Sequence, residues 1–118
     1  MEHLLIILAA VMGAAGVGLA AASAHGTPGM GLDSAGYLLL FHAAGLLGGI
    51  AVLHQGMLSR PIGPVALAGF VIGSALFAGD VAARAYLGHR LFPMAAPTGG
   101  VILIGGWLLL AVAALIGR

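Results

Sequence analysis

The chain alternates four long apolar runs with three short stretches in which Gly, Pro, His and charged side chains collect. Leu4 to Ala24 carries no charge, and at about 1.5 Å of rise per residue it is long enough to cross a hydrocarbon core of about 30 Å. The linker His25 to Asp33 (HGTPGMGLD) favours turns, and Ser34 to Leu53 then resumes an apolar run interrupted only by His42. His54 to Gly63 breaks the pattern again, and Pro64 suits the first turn of a third helix that runs to about Gly88 and holds Asp80 and Arg84. His89 to Pro97 closes that helix, with Pro93 and Pro97 as breakers, and Thr98 is placed to cap a fourth helix reaching Gly117. The pattern predicts a single all-α domain, an integral membrane four-helix bundle with short loops and spans at about 4–24, 34–53, 64–88 and 98–117.

Composition identifies the solvent. With 62% apolar and 6% charged side chains and a mean hydropathy of +1.19, the chain has too little polar surface to keep a soluble domain of this size in water, so its first partner is the lipid bilayer. The charged residues are Glu2, Asp33, Arg60, Asp80, Arg84, Arg90 and Arg118, without a basic run, and nucleic acid is not an expected partner. The absence of cysteine excludes thiolate chemistry, disulfides and Cys-based zinc or iron-sulfur sites. Ala22-Ser23-Ala24 has the small-x-small form of a signal-peptidase site, but Glu2 and His3 stand where basic residues would be expected and the apolar run is long, so the segment is read as a span.

Four spans place both termini and the second loop on one face of the membrane, face A, and the first and third loops on the other, face B. Arg60, Arg118 and the amino terminus on face A nearly balance Arg84 and Arg90 on face B. The expected location is the cytoplasmic (inner) membrane of a bacterium, with the termini in the cytoplasm. Span two enters from face B at about Ser34 and puts His42 roughly 12 Å deep; counting back from Gly88 puts Asp80 at a similar depth. The two could touch. Arg84 follows Asp80 at i, i+4, within reach of its carboxylate, and His25 sits shallower at the end of span one. A charge at the bilayer centre is unfavourable by ~2.5 to 3.5 kcal/mol, so an inward-facing polar cluster of His42, Asp80, Arg84 and His25 is expected.

Small residues mark the expected packing faces. Gly45 and Gly49 share a stripe with His42, and Gly69 and Gly73 share one with Phe77, Asp80 and Arg84. Ala14, Gly18, Ala21 and His25 line one side of span one, and Gly99, Gly106 and Ala113 recur every seven residues on span four. Any of these faces could instead meet another subunit.

The polar residues admit two readings. In the first, Asp80 and Arg84 neutralise one another, His42 donates to Asp80 or to a backbone carbonyl, and the cluster fixes helix register. In the second, the three form a proton or ion pathway open to face B, although towards face A spans two and three offer mainly aliphatic residues and Ser74. No metal or cofactor site is expected, because His3 and His54 belong near face A, His25 and His89 near face B, and His42 well below them. Trp107 lies inside span four and reads as packing. There is no Gly-rich phosphate motif with a Lys and no Ser-His-Asp arrangement, so an enzyme is not expected. A lipid or quinone groove beside span four has no positive sign.

The Gly-rich first span through Gly13-Ala14-Ala15-Gly16-Val17 to Ala24-His25-Gly26, the Phe41-His42-Ala43 step, and Pro97-Thr98-Gly99-Gly100 followed by Gly105-Gly106-Trp107-Leu108-Leu109 resemble the domain-of-unknown-function 423 family, which includes transmembrane protein 256. The resemblance covers nearly the whole chain and implies a small four-span membrane protein without an assigned activity. His25, His42, Pro97, Gly100 and Trp107 fall on positions that recur in the family, whereas Asp80 and Arg84 stand where many members carry Ser or other small residues. That departure counts against a charge-dependent mechanism common to the family. The expectation is a structural or accessory module that associates with itself, as a homo-oligomer, or with a larger membrane complex through Gly-rich faces; the alternative is a small channel or transporter using His42, Asp80 and Arg84.

Overall fold

Each apolar run becomes one α-helix, because a segment in lipid must satisfy its own backbone N–H and C=O groups. The computed structural model describes residues 2–26 and 28–117. Met1 and Arg118, counted above on face A, and Thr27 of the first linker lie outside the described residues. The helices are α1 (Glu2–His25), α2 (Leu32–His54), α3 (Ile62–Leu87) and α4 (Ala95–Ile116), all long and apolar enough to cross a membrane. Successive helices run in opposite directions, with α1 against α2, α2 against α3 and α3 against α4. The central pair, α2 and α3, buries the larger share of its surface, and the more apolar α1 and α4 leave more of theirs to the acyl chains.

Every helix end lies within one to three residues of expectation, and the largest difference is at the start of α4. Gly88 ends α3 at φ 80°, a left-handed conformation that costs glycine little, and its N–H closes on the Ala83 carbonyl. For α4, the sequence pointed to Thr98 as the cap, but the helix begins three residues earlier and Thr98 N–H already donates to Met94 O at 2.9 Å. Met94 takes the capping position at φ 69° without a side-chain bond. Pro97 is therefore not a breaker: it sits in the first turn, where its missing N–H would have had no helical partner.

Two helical hairpins are built the same way. In the first, a Cβ on Gly16 would lie 2.7 Å from the Gly36 carbonyl oxygen, and a Cβ on Gly36 would lie 2.6 Å from the Gly16 oxygen. In the second, Gly73 and Gly99 face each other in the same reciprocal way, at 2.8 and 2.6 Å. The offsets also match. Gly16 meets Leu40 and Gly73 meets Leu103, each four residues beyond the partner glycine, while Gly36 meets Ala20 N and Gly99 meets Phe77 N, four residues beyond the other. The α1–α2 and α3–α4 pairs thus repeat one backbone-on-backbone contact, the approach that gives helix pairs their dispersion energy in lipid.

The predicted packing residues divide on this frame. Gly99, Gly106 and Ala113 form the buried stripe of α4, as their spacing implied. Gly49 packs against Leu67, and Gly69 sits beside Gly106 and Ile102. Gly18 does not pack: nothing lies within 4 Å of a Cβ placed there, and Ala14, Ala21 and His25 are exposed with it. The inner face of α1 is instead the one through Leu5, Ala9, Met12 and Gly16.

Candidate functional site

His42 is buried on α2 and uses both ring nitrogens. Nδ1 lies 2.8 Å from the Leu38 carbonyl, one turn back, and Nε2 lies 3.0 Å from Trp107 Nε1 on α4. A carbonyl oxygen only accepts and an indole nitrogen only donates, so the network assigns the neutral tautomer with its proton on Nδ1. Phe70 of α3 completes the group, with its ring edge-on to His42 at 5.4 Å between centroids and 4.5 Å from the Trp107 ring. Glycines make the space. A Cβ on Gly45 would meet the Trp107 ring at 3.1 Å, and one on Gly106 would meet the Phe70 ring at 3.0 Å. Three helices meet here around one polar chain running from Trp107 through His42 to Leu38.

Asp80 belongs to a separate group. Its side chain is 1% exposed; Oδ1 accepts the Leu91 backbone N–H at 3.0 Å, and Oδ2 faces Arg84 Nη2 at 3.6 Å. The first is a hydrogen bond; the second, beyond hydrogen-bond range, is an ion pair. The carboxylate therefore ties the loop after α3 back onto α3. Arg84 is 45% exposed, so its guanidinium reaches outward from the helix. A cavity of about 330 Å³ opens beside this pair, lined by Phe77, Asp80, Arg84, Arg90, Ala96, Pro97 and Gly100.

The four residues expected in one cluster are thus not together. Asp80 and Arg84 pair, whereas His42 bonds to Leu38 and Trp107 and has neither as a partner. His25 is exposed in the last turn of α1, outside any buried group. Similar depth was not contact: His42 faces α4, and Asp80 faces the α3–α4 loop. From the observed helix starts, His42 lies ten residues into α2 and Trp107 twelve into α4, roughly 15 and 18 Å deep, which brings the two rings within reach.

Among the described residues, the remaining charged and histidine side chains occupy the rims. At face A, Glu2 meets His54 Nδ1 at 3.2 Å and Arg60 Nη2 at 3.6 Å, joining the start of α1 to the end of α2. His89, near face B, is exposed and donates Nδ1–H to the Arg90 carbonyl at 2.9 Å. Among the described residues no three His, Asp or Glu side chains come together as a metal-ligand set. Ser74 is fully buried on α3, and its hydroxyl has no hydrogen-bond partner among the described residues.

A family model described as "Protein of unknown function (DUF423)" matches residues 12–100. The match takes in both reciprocal glycine contacts, His42 and the Asp80 group, and ends before Trp107. No curated protein and no solved structure matches the chain.

Proposed function

The chain belongs to the DUF423 family, and from that premise we propose a structural or accessory role: a non-enzymatic four-span module of the bacterial cytoplasmic membrane that assembles with itself or with a larger membrane complex. The observation that carries this reading is the use made of its buried polarity. His42 has both nitrogens engaged, Nδ1 on the Leu38 carbonyl of its own helix and Nε2 on Trp107 of α4, and Asp80 has both oxygens engaged, Oδ1 holding the α3–α4 loop and Oδ2 facing Arg84 of its own helix. Groups so committed fix helix register; a relay needs sites that exchange partners.

The outward faces support the second half of the proposal. Ala14, Gly18 and Ala21 form a small-residue stripe that the fold leaves open, and a Cβ added at Gly48, Gly100 or Gly105 would likewise have nothing within 4 Å. Such faces admit a neighbouring helix at short range. The termini are proposed to lie in the cytoplasm. Gentle extraction at native expression, followed by mass determination, is expected to recover the chain with further copies or other membrane subunits attached. Recovery of monomer alone, together with proton flux in liposomes abolished by Asp80→Asn, would overturn the proposal in favour of a transport pathway.

A further inference from the structure

The face B cavity collects positive charge beyond what its fold uses. Asp80 is nearly inaccessible and directs its two oxygens at Leu91 and Arg84, so it offsets one guanidinium. Arg90 lines the same cavity and has no carboxylate partner among the described residues. The first two turns of α4 line it as well, through Ala96, Pro97 and Gly100. That end has no side-chain cap; Ala95 N–H bonds to Phe92 O and Thr98 N–H to Met94 O, and among the described residues the Ala96 N–H has no backbone acceptor. One surplus guanidinium, a second that is half exposed, and an uncapped helix start converge on one space, and all three favour an anion.

The rest of the lining identifies the source of that anion. Phe77, Ala96, Pro97 and Gly100 belong to the membrane-spanning helices, so the lining combines guanidinium groups with apolar side chains and backbone from the spans. A volume of about 330 Å³ lies at the small end of ligand pockets, about 300–1,000 Å³. We propose that this cavity binds the phosphodiester headgroup of an anionic phospholipid in the face B leaflet, with Arg90 and Arg84 contacting the phosphate and Phe77 and Pro97 against the glycerol and upper acyl chain.

The test uses the full chain, stripped of lipid in a neutral detergent and mixed with phosphatidylglycerol or phosphatidylcholine, with bound lipid counted by native mass spectrometry. Phosphatidylglycerol is expected to be retained in preference to phosphatidylcholine. Arg90→Gln, a change in an exposed loop, is expected to weaken retention roughly tenfold, the loss of one charge-assisted contact. Arg60→Gln on face A serves as the control and is expected to leave retention unchanged. Equal retention of the two lipids, or equal losses in the Arg60 and Arg90 variants, would overturn the site. Competition by inorganic phosphate alone, at concentrations that displace phosphatidylglycerol completely while chloride at matched ionic strength does not, would overturn the lipid as its occupant.

Discussion

Trp107 donates its indole N–H to the unprotonated nitrogen of His42 at 3.0 Å, and this bond spans two helices that share little other polar contact. Its loss can be isolated. Trp107→Phe keeps a ring beside Phe70 but leaves His42 Nε2 buried without a donor. The expected cost is about 1 kcal/mol, since interhelical hydrogen bonds in membranes are measured at about 0.6 and up to about 1.7 kcal/mol. Reversible unfolding in mixed micelles checks this value. Because the chain has one tryptophan, His42→Leu should also shift indole emission to shorter wavelength, while His89→Leu should leave it unchanged. An identical spectrum in both variants would mean the bond does not form in the membrane.

Asp80 makes two kinds of contact that substitutions can separate. Asp80→Asn retains an oxygen for the Leu91 N–H but loses the charge opposite Arg84; Asp80→Leu loses both. Since Arg84 is 45% exposed, solvent screening reduces the ion pair's contribution, and the Leu91 bond should dominate. The loop provides the readout, because trypsin can cut after exposed Arg90. Cleavage there is expected to rise strongly in Asp80→Leu and only slightly in Asp80→Asn. Equal cleavage in both would assign the anchoring to charge.

How far the sequence could be read depended on the solvent. In water, polar residues mark the outer face of a helix. In lipid, both faces are apolar, so the four spans are plain in the apolar runs and the rotation of each helix is not. On α4 the seven-residue recurrence of Gly99, Gly106 and Ala113 carried enough period to identify the buried stripe. On α1, Gly16 and Gly18 are equally small, and only the partner backbone of Gly36 distinguishes them. The repeated hairpin contact was hidden for the same reason: 21 glycines supply many equivalent matches. Trp107 reads as packing from sequence because aromatic enrichment at membrane interfaces draws attention away from its donor N–H.

Ser74 offers the opposite case to Trp107. Its hydroxyl is fully buried without a partner among the described residues, so it contributes no hydrogen bond and retains its desolvation cost. Ser74→Ala removes the unpaired group at nearly constant volume and is expected to leave stability unchanged or raise it by up to about 1 kcal/mol. Unfolding midpoints in the same micelles test this. A loss of more than about 1 kcal/mol would show that the hydroxyl has an acceptor in the membrane, the i−4 carbonyl of Phe70 being the nearest in sequence.

The glycine contacts yield a graded series in which only the neighbour differs. Alanine at Gly36 or Gly99 would drive a methyl into the partner helix's backbone, at 2.6 Å from a carbonyl oxygen in each case, and a backbone cannot rotate aside. Both variants are expected to lose about 1–3 kcal/mol, the range for overpacking, with the affected hairpin forced apart. Gly49→Ala meets the flexible end of Leu67 and should cost less. Gly18→Ala and Gly48→Ala meet nothing within 4 Å and should not destabilise the monomer; in a helix, alanine is the better residue by about 1 kcal/mol. The last pair also bears on assembly. If Gly18 faces a partner helix, Gly18→Leu should leave monomer unfolding unchanged and reduce the mass recovered after gentle extraction. A variant that recovers the full mass would remove the α1 outer face from the proposed interface.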